Sequence, residues 1–210
     1  MASVNSTISA TNRVINLKNI IYFDQNFKIS SKIRIFEMMI FKQLKEKHLS
    51  SERLLLEPIT IKDAVFVQQL LNTKGWLEYI GDRNIHSKVD AENFIIKAIA
   101  NAHAVIWTIA SIEKPTQPIG IITLIKRDYL NFPDIGYALL PNVMNLGYAQ
   151  EATESVINEI KSNSLFEFLN AITLKENLPS IKLLMKLNFN FEKEIFENNE
   201  SLCIYSLSLI

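Results

Sequence analysis

Three strand-like segments follow one another with no helix between them: "AVIWTIASI" (104–112), "IGIITLIKRD" (119–128) and "DIGYALLP" (134–141). Each is a short apolar run rich in β-branched residues, and the turn "EKPTQP" separates the first two as in a hairpin. Pro141 stops the third. This succession constrains the fold strongly. A doubly wound parallel sheet needs strand and helix to alternate strictly, and three strands in a row break that rule.

The flanking segments complete an α+β order. "RLLLEPI" (53–59) reads as a strand closed by Pro58, and Thr60 with Asp63 opens a helix with an acidic first turn. The polar segment "TKGWLEYIGDRNIHS" leads to a second helix over 89–100. After the three strands, 147–162 is helical in pattern, "FLNAITL" (168–174) is a strand, and "LPSIKLLMKL" (178–187) is a helix that tolerates Pro179 in its first turn. "FNFEKEIFE" and "SLCIYSLSLI" form a closing antiparallel hairpin around Asn198-Asn199. The order β-α-α-β-β-β-α-β-α-β-β predicts a mixed, mostly antiparallel central sheet flanked by helices. That domain spans residues 49–210, behind an N-terminal extension of residues 1–48. The first ten residues of the extension are small and polar and are expected to be disordered. Ile33, Phe36, Ile40 and Leu44 recur at helical spacing and predict a helix over 32–45, packed on the domain or on a partner chain. A membrane-surface role for that helix lacks a strong basic flank. Met38 or Met39 offers an alternative natural start.

Charge and cysteine content narrow the function classes. Lys+Arg and Asp+Glu number 22 each, so no global field draws in nucleic acid or an anionic membrane. A single cysteine excludes an internal disulfide framework and suits a reducing compartment. No run of eighteen apolar residues occurs, and the N-terminus lacks the pattern of a secretory signal, so a cytoplasmic protein is expected. His48, His86 and His103 lie far apart without ligand spacing, and no metal site is expected. Without G-x-S-x-G there is no nucleophile elbow. Cys203 and Trp107 read as packed strand residues.

The stretch "PNVMNLGYAQEA" (141–152) is either an ordinary helix start, with its glycine there for packing, or an anion cradle. Gly147 sits where strand gives way to helix, and glycine lets backbone N–H groups approach a ligand closely. The unpaired amides and positive dipole end of a helix start favour a phosphate. Asn177 opens the last helix, where asparagine serves as an N-cap.

From Ser51 to about Phe196 the chain resembles the GCN5-related N-acetyltransferase family, in its RimJ/RimL-like branch. The resemblance rests on "SERLLLEPITIKDA", "YIGDRNI", "PIGIITLIKRD", "DIGYALLPNVMNLGYAQEA" and "AITLKENLPSIKLLMKLNF", in the family's order and spacing. It implies that the strands 134–140 and 168–174 splay apart and admit the pantetheine arm of acetyl-CoA as an added strand on the backbone of Ala138, Leu139 and Leu140. The loop from Asn142 through Asn145 and Leu146 to Gly147, with Tyr148 and Ala149, would hold the pyrophosphate. Asn177 would bond the pantetheine or acetyl region, with Ser180 close to the sulfur. Trp76, Tyr79 and Tyr137 fall where the family builds its acceptor side. The implied activity is direct acetyl transfer from acetyl-CoA, without a metal, to a primary amine: a protein N-terminus or a small-molecule amine. The implied assembly is a monomer or homodimer.

The chain departs from the family pattern at named positions. Arg/Gln-x-x-Gly-x-Gly/Ala becomes Asn142, Val143, Met144, Asn145, Leu146, Gly147. Asn145 is the mildest replacement for a left-handed glycine, while Leu146 replaces a basic residue and Met144 an aromatic one. Weaker cofactor binding is the expected consequence. An amine nucleophile, with a pKa of about 8 for an α-amine or about 10.4 for lysine, needs a proton acceptor. Asp134, just before "IGY", is the leading base and Glu57 the second. The tyrosine that many relatives use as acid falls on Leu184, so either Ser180, ranked first, or Tyr137 takes that role, or the thiolate leaves without an acid. Backbone amide near Leu139 would stabilise developing negative charge. The alternative is a CoA-binding or interaction module of the same fold with weak or no catalysis.

Overall fold

The structure, a computed structural model, describes residues 26–197 and 200–210. The expectations for the first ten residues and for the turn at Asn198-Asn199 lie outside the described residues.

Helix α1 (Asn26–Lys45) leads into β1 (Leu49–Ser50) and β2 (Leu54–Pro58). A 3-10 turn (Ile61–Asp63) precedes α2 (Ala64–Leu71), α3 (Lys74–Tyr79) and α4 (Lys88–Ala100). Strands β3 (Ala104–Ser111), β4 (Pro118–Ile125) and β5 (Asp134–Leu139) follow in succession. The chain ends with α5 (Tyr148–Ser162), β6 (Phe168–Leu174), α6 (Leu178–Lys186), β7 (Asn190–Glu197) and β8 (Glu200–Ser208).

Three features differ from the sequence expectation. Helix α1 starts at Asn26, six residues before the periodic segment. Strand β1 is only two residues long, too short to carry an alternation, and is held by pairing Leu49 with Leu56. Helix α3 arises inside the segment read as a polar connection. Thr73 caps it by accepting from the Trp76 amide at 3.4 Å, and burial of Trp76 offsets the propensity cost of Gly75.

The strands form one sheet in the order β1-β2-β3-β4-β5-β6-β8-β7. All neighbours run antiparallel except β5 and β6, so the expected mixed, mostly antiparallel sheet is observed. Side chains alternate across it. One face presents Leu56, Trp107, Ile122, Leu124, Ile135 and Leu139 to α1, α5 and α6, which contribute Phe41, Val156, Ile160 and Leu184. The opposite face presents Ile121, with Ala138 alongside, to a second cluster built from Val67, Leu70, Trp76 and Ile95 of α2, α3 and α4. Burial of each large apolar side chain here contributes about 1.5–3 kcal/mol. Helix α1 enters the main core through Ile40, Phe41 and Leu44, so the segment read as an extension shares that core. Trp107 and Cys203 are buried as expected, and the Trp107 indole donates to Lys47 O at 2.8 Å.

Gly120 permits the close fit of β4 against β5. A Cβ there would lie 2.3 Å from Leu139 Cδ2 and 2.6 Å from Ala138 O. Any other residue would push apart the strands on which the site is built.

Candidate active site

The parallel neighbours β5 and β6 are bridged at one register pair, Asp134 with Asn170, at the start of both strands. The Asn170 amide donates to Pro133 O at 2.9 Å. Beyond that pair no further register joins them, which leaves a cleft inside an otherwise continuous sheet. Gly136, Tyr137 and Ala138, in the middle of a central strand, are accordingly half-buried and not sealed.

Strand alternation decides which amides face the opening. Leu140 donates to Ile119 O on the β4 side at 2.8 Å. Residues two apart share a direction, so Ala138 turns its backbone groups and Leu140 its amide to β4, whereas Tyr137 and Leu139 turn theirs toward β6. Of the three residues expected to pair with a cofactor, the backbone of Leu139 is the one directed into the cleft. The Ala138 backbone and the Leu140 amide face β4, and the Leu140 carbonyl accepts from the Val143 amide at 3.1 Å.

At the far end of β5 the chain passes through a 3-10 turn, Pro141–Val143, before α5. Asn145 has φ 62° and Gly147 φ 84°, both left-handed. The loop thus keeps the backbone form of a two-glycine loop, with asparagine at the less demanding position. Gly147 is the N-cap of α5 and no side chain caps that helix. By contrast, Ser87 caps α4 and Asn177 caps α6. The first-turn amides around Tyr148 and Ala149 therefore have no side-chain acceptor, and an anion can take that place.

Across the cleft, Asn177 Oδ1 accepts from the Ser180 amide at 3.2 Å. The Ser180 hydroxyl lies 3.0 Å from the Tyr137 hydroxyl, which also donates to Ser180 O at 3.3 Å. Tyr137 and Ser180 therefore meet as a pair. Burial pushes the Tyr137 phenol up to about 12, against the lowering effect of Ser180, so it stays protonated at neutral pH. Leu184, counted as the family tyrosine position, is 1% exposed and belongs to the main core.

Asp134 is 4% exposed and engaged by Arg127, whose Nε donates to Oδ1 at 2.8 Å and whose Nη2 donates to Oδ2 at 3.3 Å. Burial raises its carboxyl above the ordinary carboxylate value while Arg127 opposes that rise. Glu57 lies three strands from β5 in the sheet order and pairs with His48, remote from the cleft. Trp76 is buried beside Leu140 in the second cluster, and its Nε1 has no hydrogen-bond partner among the described residues. Tyr79 is half-buried at the end of the same helix, α3. Among the described residues no three His, Cys, Asp or Glu side chains cluster as a metal site.

Sequence reasoning overlooked Arg53. Its Nη1 donates to Leu146 O at 3.2 Å, and its guanidinium holds Glu151 of α5 and lies 4.7 Å from the centre of the Tyr148 ring. The partners are more than ninety residues away along the chain, so no local pattern announces the contact.

This architecture defines an acyltransferase cleft, and similarity agrees. Residues 53–190 match the family profile described as the acetyltransferase (GNAT) domain. The uncharacterized N-acetyltransferase YnaD of Bacillus subtilis is 27% identical over 158 residues, covering 73% of this chain and 91% of that protein. The GNAT-family acetyltransferase of Bacillus anthracis superposes with a TM-score of 0.66 at 23% identity, covering 78% of this chain and 99% of the other. RimL, a ribosomal alpha-N-protein acetyltransferase solved with coenzyme A, gives a TM-score of 0.67 at 15% identity, with coverages of 77% and 98%. The chain belongs to the GNAT acetyltransferase family and is an acyltransferase.

Proposed function

We propose that this enzyme is an N-acetyltransferase of the RimJ/RimL-like branch, moving an acetyl group from acetyl-CoA directly to a primary amine. One observation carries the reading: β5 and β6 part after a single bridging pair, Leu139 turns its amide into the gap, and the uncapped start of α5 lies at its mouth. The fold relatives support it, since RimL is described in complex with coenzyme A and YnaD is named an N-acetyltransferase.

The residues present fit acetyl-CoA. The loop Asn142–Gly147, with the amides of Tyr148 and Ala149, holds the pyrophosphate, and the left-handed Gly147 leaves room that a Cβ would fill. Leu139 and Asn177 hold the pantetheine arm. When bound, acetyl-CoA supplies an activated thioester. The Leu139 amide is available to its carbonyl oxygen as charge develops there. Holding both reactants in one cleft supplies orientation. Asp134 accepts the amine proton, directly or through water, and its raised pKa suits that role. Ser180, backed by Tyr137, gives a proton to the departing sulfur. Trp76, Tyr79 and Tyr137 line the acceptor side. The acceptor is a protein N-terminal α-amine or a small-molecule amine. The catalytic domain is residues 49–210, with 1–48 an N-terminal extension whose Ile40, Phe41 and Leu44 complete the core, and the enzyme acts in the cytoplasm as a monomer or homodimer.

The absence of a basic residue within the loop, where Leu146 is exposed, favours a second reading: a CoA-binding module with little transfer activity. Thiol release from acetyl-CoA over a panel of amines, run beside calorimetry with CoA, separates the two. Thiol release with one amine class supports the enzyme. Tight CoA binding without release on any amine supports the module, and absence of CoA binding removes both.

A further inference from the structure

A diphosphate held by backbone amides alone gains less than one that also meets a guanidinium, because charge-assisted hydrogen bonds are about twice as strong as neutral ones. The loop between the left-handed residues Asn145 and Gly147 offers only Leu146 where a cation would help. The fold brings a cation there from elsewhere. Arg53, at the approach to β2, reaches the loop from 93 positions away along the chain. A Cβ placed on Gly147 would lie 3.3 Å from Arg53 Nη2, which measures how closely the guanidinium borders the N-cap of α5.

The contact is built on several supports. Glu151 Oε1 accepts from Ser51 Oγ at 2.6 Å and from the Arg53 amide at 2.8 Å. Glu151 Oε2 accepts from Arg53 Nε at 2.7 Å and lies 2.6 Å from Nη2. Arg53 Nη1 donates to Leu146 O at 3.2 Å, and the guanidinium packs over the Tyr148 ring. Loop, N-cap and first turn of α5 are thereby tied to the strand that opens the domain. A guanidinium carries five N–H groups. Three are engaged here, by the two Glu151 contacts and by Leu146 O, which leaves two on a side chain that is 46% exposed.

We propose that Arg53 is the positioning residue and the cation of the phosphate loop. Its bonds to Leu146 and Glu151 set the loop's shape, and its remaining N–H groups meet a phosphate oxygen of the cofactor. This rests on the reading that residues 142–147 hold the pyrophosphate. On this account, the cation missing from the loop sequence is supplied across the fold.

Calorimetric binding of CoA, dephospho-CoA and pantetheine to Arg53→Ala and Arg53→Lys tests it, with thermal melting to verify folding. Pantetheine lacks every phosphate, and dephospho-CoA keeps the diphosphate. Arg53→Ala is expected to weaken CoA and dephospho-CoA alike by roughly tenfold or more and to leave pantetheine unchanged. Arg53→Lys retains charge without the two-pronged geometry and is expected to fall between. Equal losses for pantetheine, or no loss for CoA, overturn the proposal. Should the alanine variant fail to fold, the lysine variant decides by the same contrast between CoA and pantetheine. Gly147→Val tests the underlying reading separately. If it weakens CoA while Arg53→Ala does not, the loop stands and the Arg53 role falls. If neither variant weakens CoA, both fall.

Discussion

Asp134 and Asn170 form the one residue pair that bridges β5 to β6, and past it the two strands diverge. The pair is braced on both sides. Arg127 grips the Asp134 carboxylate, and Asn170 donates its side-chain amide to Phe132 O at 3.3 Å. The apex of the cleft is thus fixed by polar contacts.

Asp134→Asn keeps the shape of this apex and removes its charge. The Arg127 side chain is 38% exposed, so water replaces part of the lost pairing, and the cost should be about 1–3 kcal/mol instead of the 3–5 typical of a fully buried pair. Chemical denaturation at neutral pH measures it. A base role adds a fall in turnover that is largest at low pH, where the acceptor amine is mostly charged. A pH profile parallel to wild type would leave Asp134 as a structural brace alone.

Glu151 makes stability depend on pH. Burial acts to raise its pKa, but the donors from Ser51 and Arg53 outweigh that and hold the carboxyl below its ordinary 4.5. A depressed carboxyl contributes stability that is present above the unfolded value and lost as pH falls through the folded one. Glu151→Gln should therefore melt below wild type near neutral pH, with the gap closing as pH drops under 4.5. A gap independent of pH would show that the carboxylate charge is not what Ser51 and Arg53 recognise.

Gly147 and Asn145 should respond to different degrees. Gly147→Val puts a branched side chain at φ 84° and toward Arg53, so the KM for acetyl-CoA should rise with some loss of stability. Asn145→Gly relieves φ 62° but adds chain entropy to the unfolded state, so stability should move by less than about 1 kcal/mol. An unchanged KM in Gly147→Val would refute the phosphate cradle.

Phe41 tests how far the N-terminal segment belongs to the domain. It is fully buried and meets Phe166 at 6.2 Å between ring centroids. Phe41→Ala should cost about 3–5 kcal/mol by cavity formation, read as a lowered Tm. Truncation before Met38 removes Phe36, which packs on the core only partly, and keeps Ile40, Phe41 and Leu44, so folding and activity should survive it.

The strand succession and the α5 start were legible because each is a local signal: alternation, a stop at Pro141, a glycine at the helix threshold. Asn177 was legible as a cap for the same reason. Helix α3 was hidden because Gly75 and polar neighbours argue against a helix that Trp76 stabilises only through tertiary burial. The commitment of Ala138 and Leu140 to β4 depends on register, which a strand pattern does not encode. Arg53 was visible as a residue but not as part of the loop, since its meaning lies in Glu151, 98 positions away.

Ser180 and Tyr137 share one hydrogen bond, and their separate contributions can be told apart. If Ser180 protonates the departing sulfur, Ser180→Ala should lower kcat roughly tenfold to a hundredfold, with the KM for acetyl-CoA nearly unchanged. Tyr137→Phe removes the backing hydroxyl but keeps the ring in its place, so its effect on kcat should be smaller. Because burial holds the phenol at about 12, Tyr137 acts as a fixed donor, and its loss should not introduce a new ionisation near neutrality. Thiol release followed across pH measures both variants. A larger loss in Tyr137→Phe than in Ser180→Ala would reverse the order and make the phenol the acid. Unchanged kcat in both would mean that the thiolate departs without one, as its acidity permits.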